Sequence, residues 1–191
     1  MKCKAALLVL LFLLCFGCLP SRAQHVAISN NVVFDAMGAL SAGVEIPFAK
    51  RSSFEVYGSI RPWKRTETGV HKHWLVQTQY RFWPCQVMNG FFLGPYIHGG
   101  EFNIGNRGLI FGMLPELKPY RYEGWFLGAG FGIGYEFVLA KHWNLGLDAG
   151  VGYTYIDYKQ FNCEVCGALK DHDVYHHWGL SKLGLSIIYV F

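Results

Sequence analysis

Two thiols and three imidazoles crowd one stretch near the carboxyl end. Cys163 and Cys166 are followed by Asp171, His172, Asp173, His176 and His177. A CxxC pair with two imidazoles could close a tetrahedral zinc site, because thiolate sulfur and imidazole nitrogen are the usual donors to zinc. The gap between the thiols and the histidines is shorter than in a zinc finger, and in an exported chain the same two sulfurs can oxidise to each other. A Cys163–Cys166 disulfide is the favoured expectation, with no metal and no cofactor assigned. Zinc is the alternative, and a solvated loop that happens to carry histidines is the third reading. A redox CxxC would sit in a βαβ unit, which the surrounding pattern does not supply.

Other chemistry is poorly stocked. A nucleophile needs a base within hydrogen-bond reach, yet His98 and His73 have no serine two residues away, and Ser181 and Ser186 share no predicted strand with a histidine. Glu45, Glu55 and Glu136 resemble a general-acid set. Beside Arg81 they read more simply as part of a buried ion-pair network with Arg61, Asp148 and Lys182. No catalytic residue and no enzymatic activity are expected.

These residues must be positioned by strands, because the apolar pattern has a period of two. Trp143, Leu145, Leu147, Ala149, Val151, Tyr153 and Tyr155 share one face. Trp125, Leu127, Ala129, Phe131, Ile133, Tyr135 and Phe137 repeat the pattern, and Leu183, Leu185, Ile187, Tyr189 and Phe191 end it. Opposite them lie Gly, Asn, Asp, Glu, Lys and Ser, with Phe126 the one large residue out of place. Similar alternation predicts strands over 40–48, 54–61 and 73–82. Residues 26–34 and 91–101 read as strands of mixed facing, which makes eight.

The amino end precedes this domain. Lys2 and Lys4 form a positive region, residues 5–16 an apolar run, and Ser21-Arg22-Ala23 a small-x-small cleavage site, so residues 1–23 are expected to be a secretory signal peptide and 24–191 a single domain. Lipidation at Cys18 is a poorer fit because Phe16 is bulky. Three of the 17 Lys and Arg fall in that leader while all 13 Asp and Glu lie beyond it. The exported part is therefore close to neutral, which argues against a nucleic-acid partner. Three of the six cysteines also leave with the leader, so Cys85, Cys163 and Cys166 remain.

Connections alternate in length. Residues 49–52, 84–89 and 140–142 are short turns, whereas 63–71, 102–121 and 159–177 are long and polar; only the link at 35–39 breaks the rule. Short turns at one end and three long loops at the other match a bacterial outer-membrane barrel with both termini on the periplasmic side. A soluble eight-stranded barrel would hide its apolar face and show water the polar one. Here the polar face carries Glu45, Glu55, Arg61, Arg81, Glu136, Asp148 and Lys182, charges that can neutralise one another in a narrow lumen but would cover a soluble surface thinly. The apolar face carries Trp74, Trp125, Trp143, Tyr153, Tyr155, Tyr189 and Phe191 near strand ends, where aromatic girdles meet lipid headgroups.

The segments Lys72-His73-Trp74-Leu75-Val76-Gln77, Arg121-Tyr122-Glu123-Gly124-Trp125, His142-Trp143-Asn144-Leu145 and Cys163-Glu164-Val165-Cys166-Gly167 resemble those of an uncharacterised domain-of-unknown-function family of small outer-membrane barrels from Gram-negative gut anaerobes. Members of that family often accompany fimbrial assembly proteins, so the resemblance implies a surface-structure context and no particular activity. The final Tyr189-Val190-Phe191 is similar to the terminal aromatic signal that barrel-assembly machinery reads in its clients.

The sequence thus predicts an all-β chain: an eight-stranded antiparallel up-and-down transmembrane β-barrel in the bacterial outer membrane. Its expected partners are outer-membrane lipid, the barrel-assembly machinery during biogenesis and a surface or fimbrial protein. Its expected role is structural or interaction-based and linked to fimbria or adhesin assembly, without an open pore. The alternative is a lipid-modifying or small-ligand-binding barrel.

Overall fold

The structure, a computed structural model, describes residues 26–62, 71–105, 121–161 and 169–191. Eight strands run β1 (Ala27–Asn31), β2 (Leu40–Ala49), β3 (Ser52–Arg61), β4 (His71–Phe82), β5 (Gly90–Gly105), β6 (Arg121–Ala140), β7 (Trp143–Phe161) and β8 (Leu169–Val190). Each pairs antiparallel with its sequence neighbour, and β1 returns to β8 through Ala27↔Val190 to Asn31↔Ser186, closing an up-and-down barrel. Closure is the physical answer to the edge problem, since it leaves few backbone donors and acceptors without a ladder partner.

Period-two alternation now resolves into inside and outside. Glu45, Glu55, Gln77, Gln79, Arg81, His98, Glu136 and Asn144 are buried in the lumen, whereas Val44, Val56, Val76, Ile97, Leu127, Ile133, Leu147 and Ile187 are exposed on the outer wall. This is the reverse of a soluble barrel. Phe126, the exception to the alternation, faces inward and packs against His98 and Phe102 with ring centroids 5.9 and 6.3 Å apart.

Two readings of the connections need correction. Residues 26–34 are not one strand: after Asn31 the chain turns into a one-turn helix, α1 (Val32–Ala36). Val32 and Val33 favour strand by type, but the Asn31 side chain accepts from Val33 N at 3.0 Å and so caps the turn. The exceptional link at 35–39 is therefore a compact helical cap at the long-connection end, which carries four connections in all, not three. Residues 159–177 are not one long loop either, because β7 continues to Phe161 and β8 begins at Leu169. Both faces of that extension are polar, so hydrophobic periodicity cannot register it.

The glycine rows of β6 and β7 lie against large side chains of neighbouring strands. A Cβ on Gly128 would stand 2.7 Å from the His98 ring, one on Gly130 2.6 Å from the Tyr96 hydroxyl, and one on Gly132 2.8 Å from Gln79 Nε2. Large inward side chains of β4 and β5 occupy volume that these glycines give up.

Candidate functional site

Arg81 is the hub of the lumen. It points inward from β4, two residues before the short turn that starts at Trp83. The register Glu45↔Glu55 sets two carboxylates opposite each other, and Ser53↔Arg81 sets the guanidinium on the next strand two residues nearer the short turn, within reach of both. Arg81 Nη1 donates to Glu45 Oε2 at 2.5 Å and Nη2 to Glu55 Oε2 at 2.5 Å, while Glu136 Oε1, from the far wall, lies 3.4 Å from Nη1. The fixed fork of the guanidinium lets one cation serve several carboxylates, which a lysine ammonium cannot do with the same geometry. The ring of Phe92 underlies the fork, 4.4 Å from Cζ.

A second cation extends the network. Lys182 Nζ lies 2.5 Å from Asp148 Oδ2 and 3.8 Å from Glu55 Oε2, and donates to Gln79 Oε1 at 2.6 Å. Toward the short-turn end, Trp83 Nε1 donates to Ser53 Oγ at 2.8 Å, and Ser53 Oγ donates to Glu45 Oε1 at 2.5 Å. Asn144 Nδ2 donates both to Glu136 Oε2 at 3.1 Å and to Met88 O at 2.9 Å. The result is a continuous polar strut linking β2, β3, β4, β6, β7 and β8. Such a network rigidifies when its members are satisfied and becomes costly when one is removed.

Six of the seven residues assigned to this network from the sequence meet in it: Glu45, Glu55, Arg81, Glu136, Asp148 and Lys182. Arg61 does not. It is buried at the opposite end of β3, where Nη1 donates to Met37 O at 2.6 Å and holds the carboxyl end of α1. Arg61 thus ties the helical cap to the wall, with the Phe34 ring of α1 tilted against those of Tyr57 and His73, centroids 5.9 and 6.1 Å away. Through Phe34 the helix packs on inward side chains of β3 and β4 at one end, and Trp83, wholly buried against Phe92 at 4.8 Å, fills the lumen near the other.

Sequence reasoning missed the neutral members. Gln79, Ser53, Trp83 and Asn144 carry no charge to draw attention, although their inward parity alongside Arg81 and Glu136 was a usable signal. Two further lumen pairs were equally silent: Tyr96 OH with Ser181 Oγ at 2.5 Å, and His98 Nε2 with Thr154 Oγ1 at 3.1 Å.

The candidate zinc donors are divided by the strand they lie on. His172 and His176 are on the outer face of β8, where His172 Nε2 lies 2.7 Å from Asp157 Oδ1 and His176 Nδ1 lies 2.5 Å from the Tyr153 hydroxyl. His177 is on the inner face, 3.2 Å from the carbonyl of Leu180. Asp171 and Asp173 accept from the backbone N–H groups of His172 and Val174. No group of three metal-ligating side chains forms among the described residues. Cys163 and Cys166 lie outside the described residues, as does the 1–23 leader. Tyr189 and Phe191 of the terminal signal stack edge to face at 4.9 Å, with Trp143 against Tyr189 at 5.1 Å.

Residues 9–191 match a family model described as "Protein of unknown function (DUF3575)". Among solved structures, the NMR solution structure of the E. coli outer membrane protein W is similar, with 14% sequence identity and a TM-score of 0.46 over 90% of this chain and 100% of that chain. No curated protein shows significant similarity to the chain.

Proposed function

The chain belongs to DUF3575, a family of unknown function, and we propose that within it this member is a barrel of the bacterial outer membrane with a structural or surface-interaction role, neither an enzyme nor an open pore. One observation carries the membrane reading: the outer wall is apolar and exposed while the charges are inside. Ile97, Leu127, Val151 and Leu139 are each more than half exposed, and Glu45, Glu136 and Arg81 are each 5% exposed or less. In water that arrangement is unfavourable on both counts; in lipid it is favourable on both.

Side chains that fill the lumen between α1 and Trp83 support the closed-barrel part of the reading, because an eight-stranded barrel is just wide enough to be filled this way. The association with fimbria or adhesin assembly rests on the sequence resemblance, and it names an exported surface protein as the partner class. The barrel-assembly machinery would act on the chain during biogenesis, with Tyr189 and Phe191 as its signal. The test is direct. Purified protein should need detergent and should migrate differently on gels before and after heating. A chain that remains soluble and monodisperse without detergent would overturn the proposal.

A further inference from the structure

The three short turns carry one sign of charge. Residues 49–52, 83–89 and 140–142 contain Lys50, Arg51 and Lys141 and no Asp or Glu. Glu45, Glu55, Glu136 and Asp148 face the lumen, and every other described side-chain carboxylate lies toward the long-connection end. Lys50 and Arg51 stand side by side at the tip of the β2–β3 hairpin, where both are exposed.

Turn chemistry does not account for this pair. A two-residue hairpin loop favours Asn, Asp or Gly, and Lys50 and Arg51 supply none of these and take no positive φ. The turn is nonetheless held in place. Trp83 N donates to Arg51 O at 2.9 Å, and Ser52 Oγ and the Tyr80 hydroxyl are hydrogen-bonded at 2.9 Å.

Directly beneath the turn the outer wall is aromatic. The rings of Phe48 and Tyr80 lie 6.0 Å apart, Phe82 is the register partner of Ser52, and all three are exposed. Exposed aromatic residues near strand ends mark the headgroup level of a membrane barrel. Lys50 follows Phe48 by two residues, roughly 7 Å along the chain, so its long side chain and that of Arg51 reach the phosphate layer. The two cations offer a phosphate one point charge and one planar fork. Basic residues at a membrane surface favour anionic lipid. An acidic protein segment would use the cations but has no need of the aromatic wall below them. We propose that the Lys50–Arg51 turn, with Phe48 and Tyr80 beneath it, binds the headgroup of an anionic phospholipid in the leaflet at the short-turn end.

This inference rests on the membrane reading, and the experiment separates the two. The full chain, folded in detergent, is titrated with phosphatidylglycerol and, separately, with phosphatidylcholine of the same acyl chains, and bound lipid is counted by native mass spectrometry. Inorganic phosphate and polyglutamate are titrated in parallel. Phosphatidylglycerol is expected to bind more tightly, with a preference that weakens as salt is added. The double substitution Lys50→Gln, Arg51→Gln should lower its affinity roughly tenfold or more, and the charge-matched pair Lys72→Gln, Lys159→Gln toward the long-connection end should not. Equal binding of the two lipids by the unmodified chain, a comparison that needs no variant to fold, would overturn the site and leave the membrane reading intact. An undiminished preference in the folded Lys50→Gln, Arg51→Gln protein would do the same. Preferential capture of inorganic phosphate or of polyglutamate would reassign the turn to a free anion or to an acidic protein segment and overturn the lipid site. A chain that is soluble without detergent would overturn the membrane reading and the lipid site with it.

Discussion

Glu45 and Glu55 stand directly opposite each other on β2 and β3, both buried, and share the two nitrogens of one guanidinium fork. Like charges at facing positions of a sheet repel, so this pair is tolerable only because Arg81 is delivered between them from β4. Removing Arg81 strands two carboxylates in the lumen and loosens Glu136 as well. Arg81→Ala should lower barrel stability by about 3–5 kcal/mol, read as a shift of the urea unfolding midpoint in detergent. Arg81→Lys should recover only part of the loss, because a point charge cannot reproduce the fork. An unchanged midpoint for Arg81→Ala would mean that the strut contributes nothing to stability.

Packing of the glycine rows gives a second prediction. The three atoms nearest a Cβ on Gly150 all belong to the Tyr96 side chain, the nearest at 2.5 Å. Gly150→Ala should therefore destabilise by about 1–3 kcal/mol through overpacking. In a Tyr96→Leu background the same substitution should cost much less, and a double-mutant cycle measures that coupling. Additive effects would show that the two side chains do not compete for one volume.

The outer wall makes the third. Ile133 and Leu147 are exposed on the apolar face of β6 and β7. Arg at either position should cost roughly 2–4 kcal/mol of membrane folding free energy if it lies near the midplane. The same change at Lys141, in the short turn between β6 and β7, should be close to neutral. Equal tolerance at all three positions would show that this wall does not face lipid.

Strand count and most of the facing were legible in the sequence because one side of most strands is largely apolar, and a period of two survives wherever the two sides differ. Legibility ended where that contrast ended. The upper reaches of β7 and β8 alternate Tyr, Asp, His and Lys on both faces, so strand there looks like loop. α1 was hidden by Val32 and Val33, whose strand preference is overridden by a cap from Asn31. In the lumen, charges announced themselves and six of them converge, but Arg61 shares their parity without their depth. Height along a strand is set by register, which alternation alone does not encode. Gln79 and Trp83 could have been found by asking what else points inward within two residues of Arg81, whereas Ser53 and Asn144 lie on other strands and enter the strut through register.

The last prediction concerns Cys163 and Cys166, for which disulfide and zinc make opposite demands on the same sulfurs. Zinc needs both as thiolates together with nitrogen donors, and His172 and His176 are already engaged with Asp157 and Tyr153 on the outer face of β8 while His177 faces inward. Recruiting two of these imidazoles would break contacts that hold the β7–β8 extension together. Oxidation requires nothing of them. The intact exported protein is therefore expected to show one reactive thiol per chain, that of exposed Cys85, with a 163–166 linked peptide by mass spectrometry and no response to chelators. Stoichiometric zinc after purification without a histidine tag, released by His172→Ala or His176→Ala, would reverse the assignment. Three reactive thiols without metal would leave the two cysteines with no shared task.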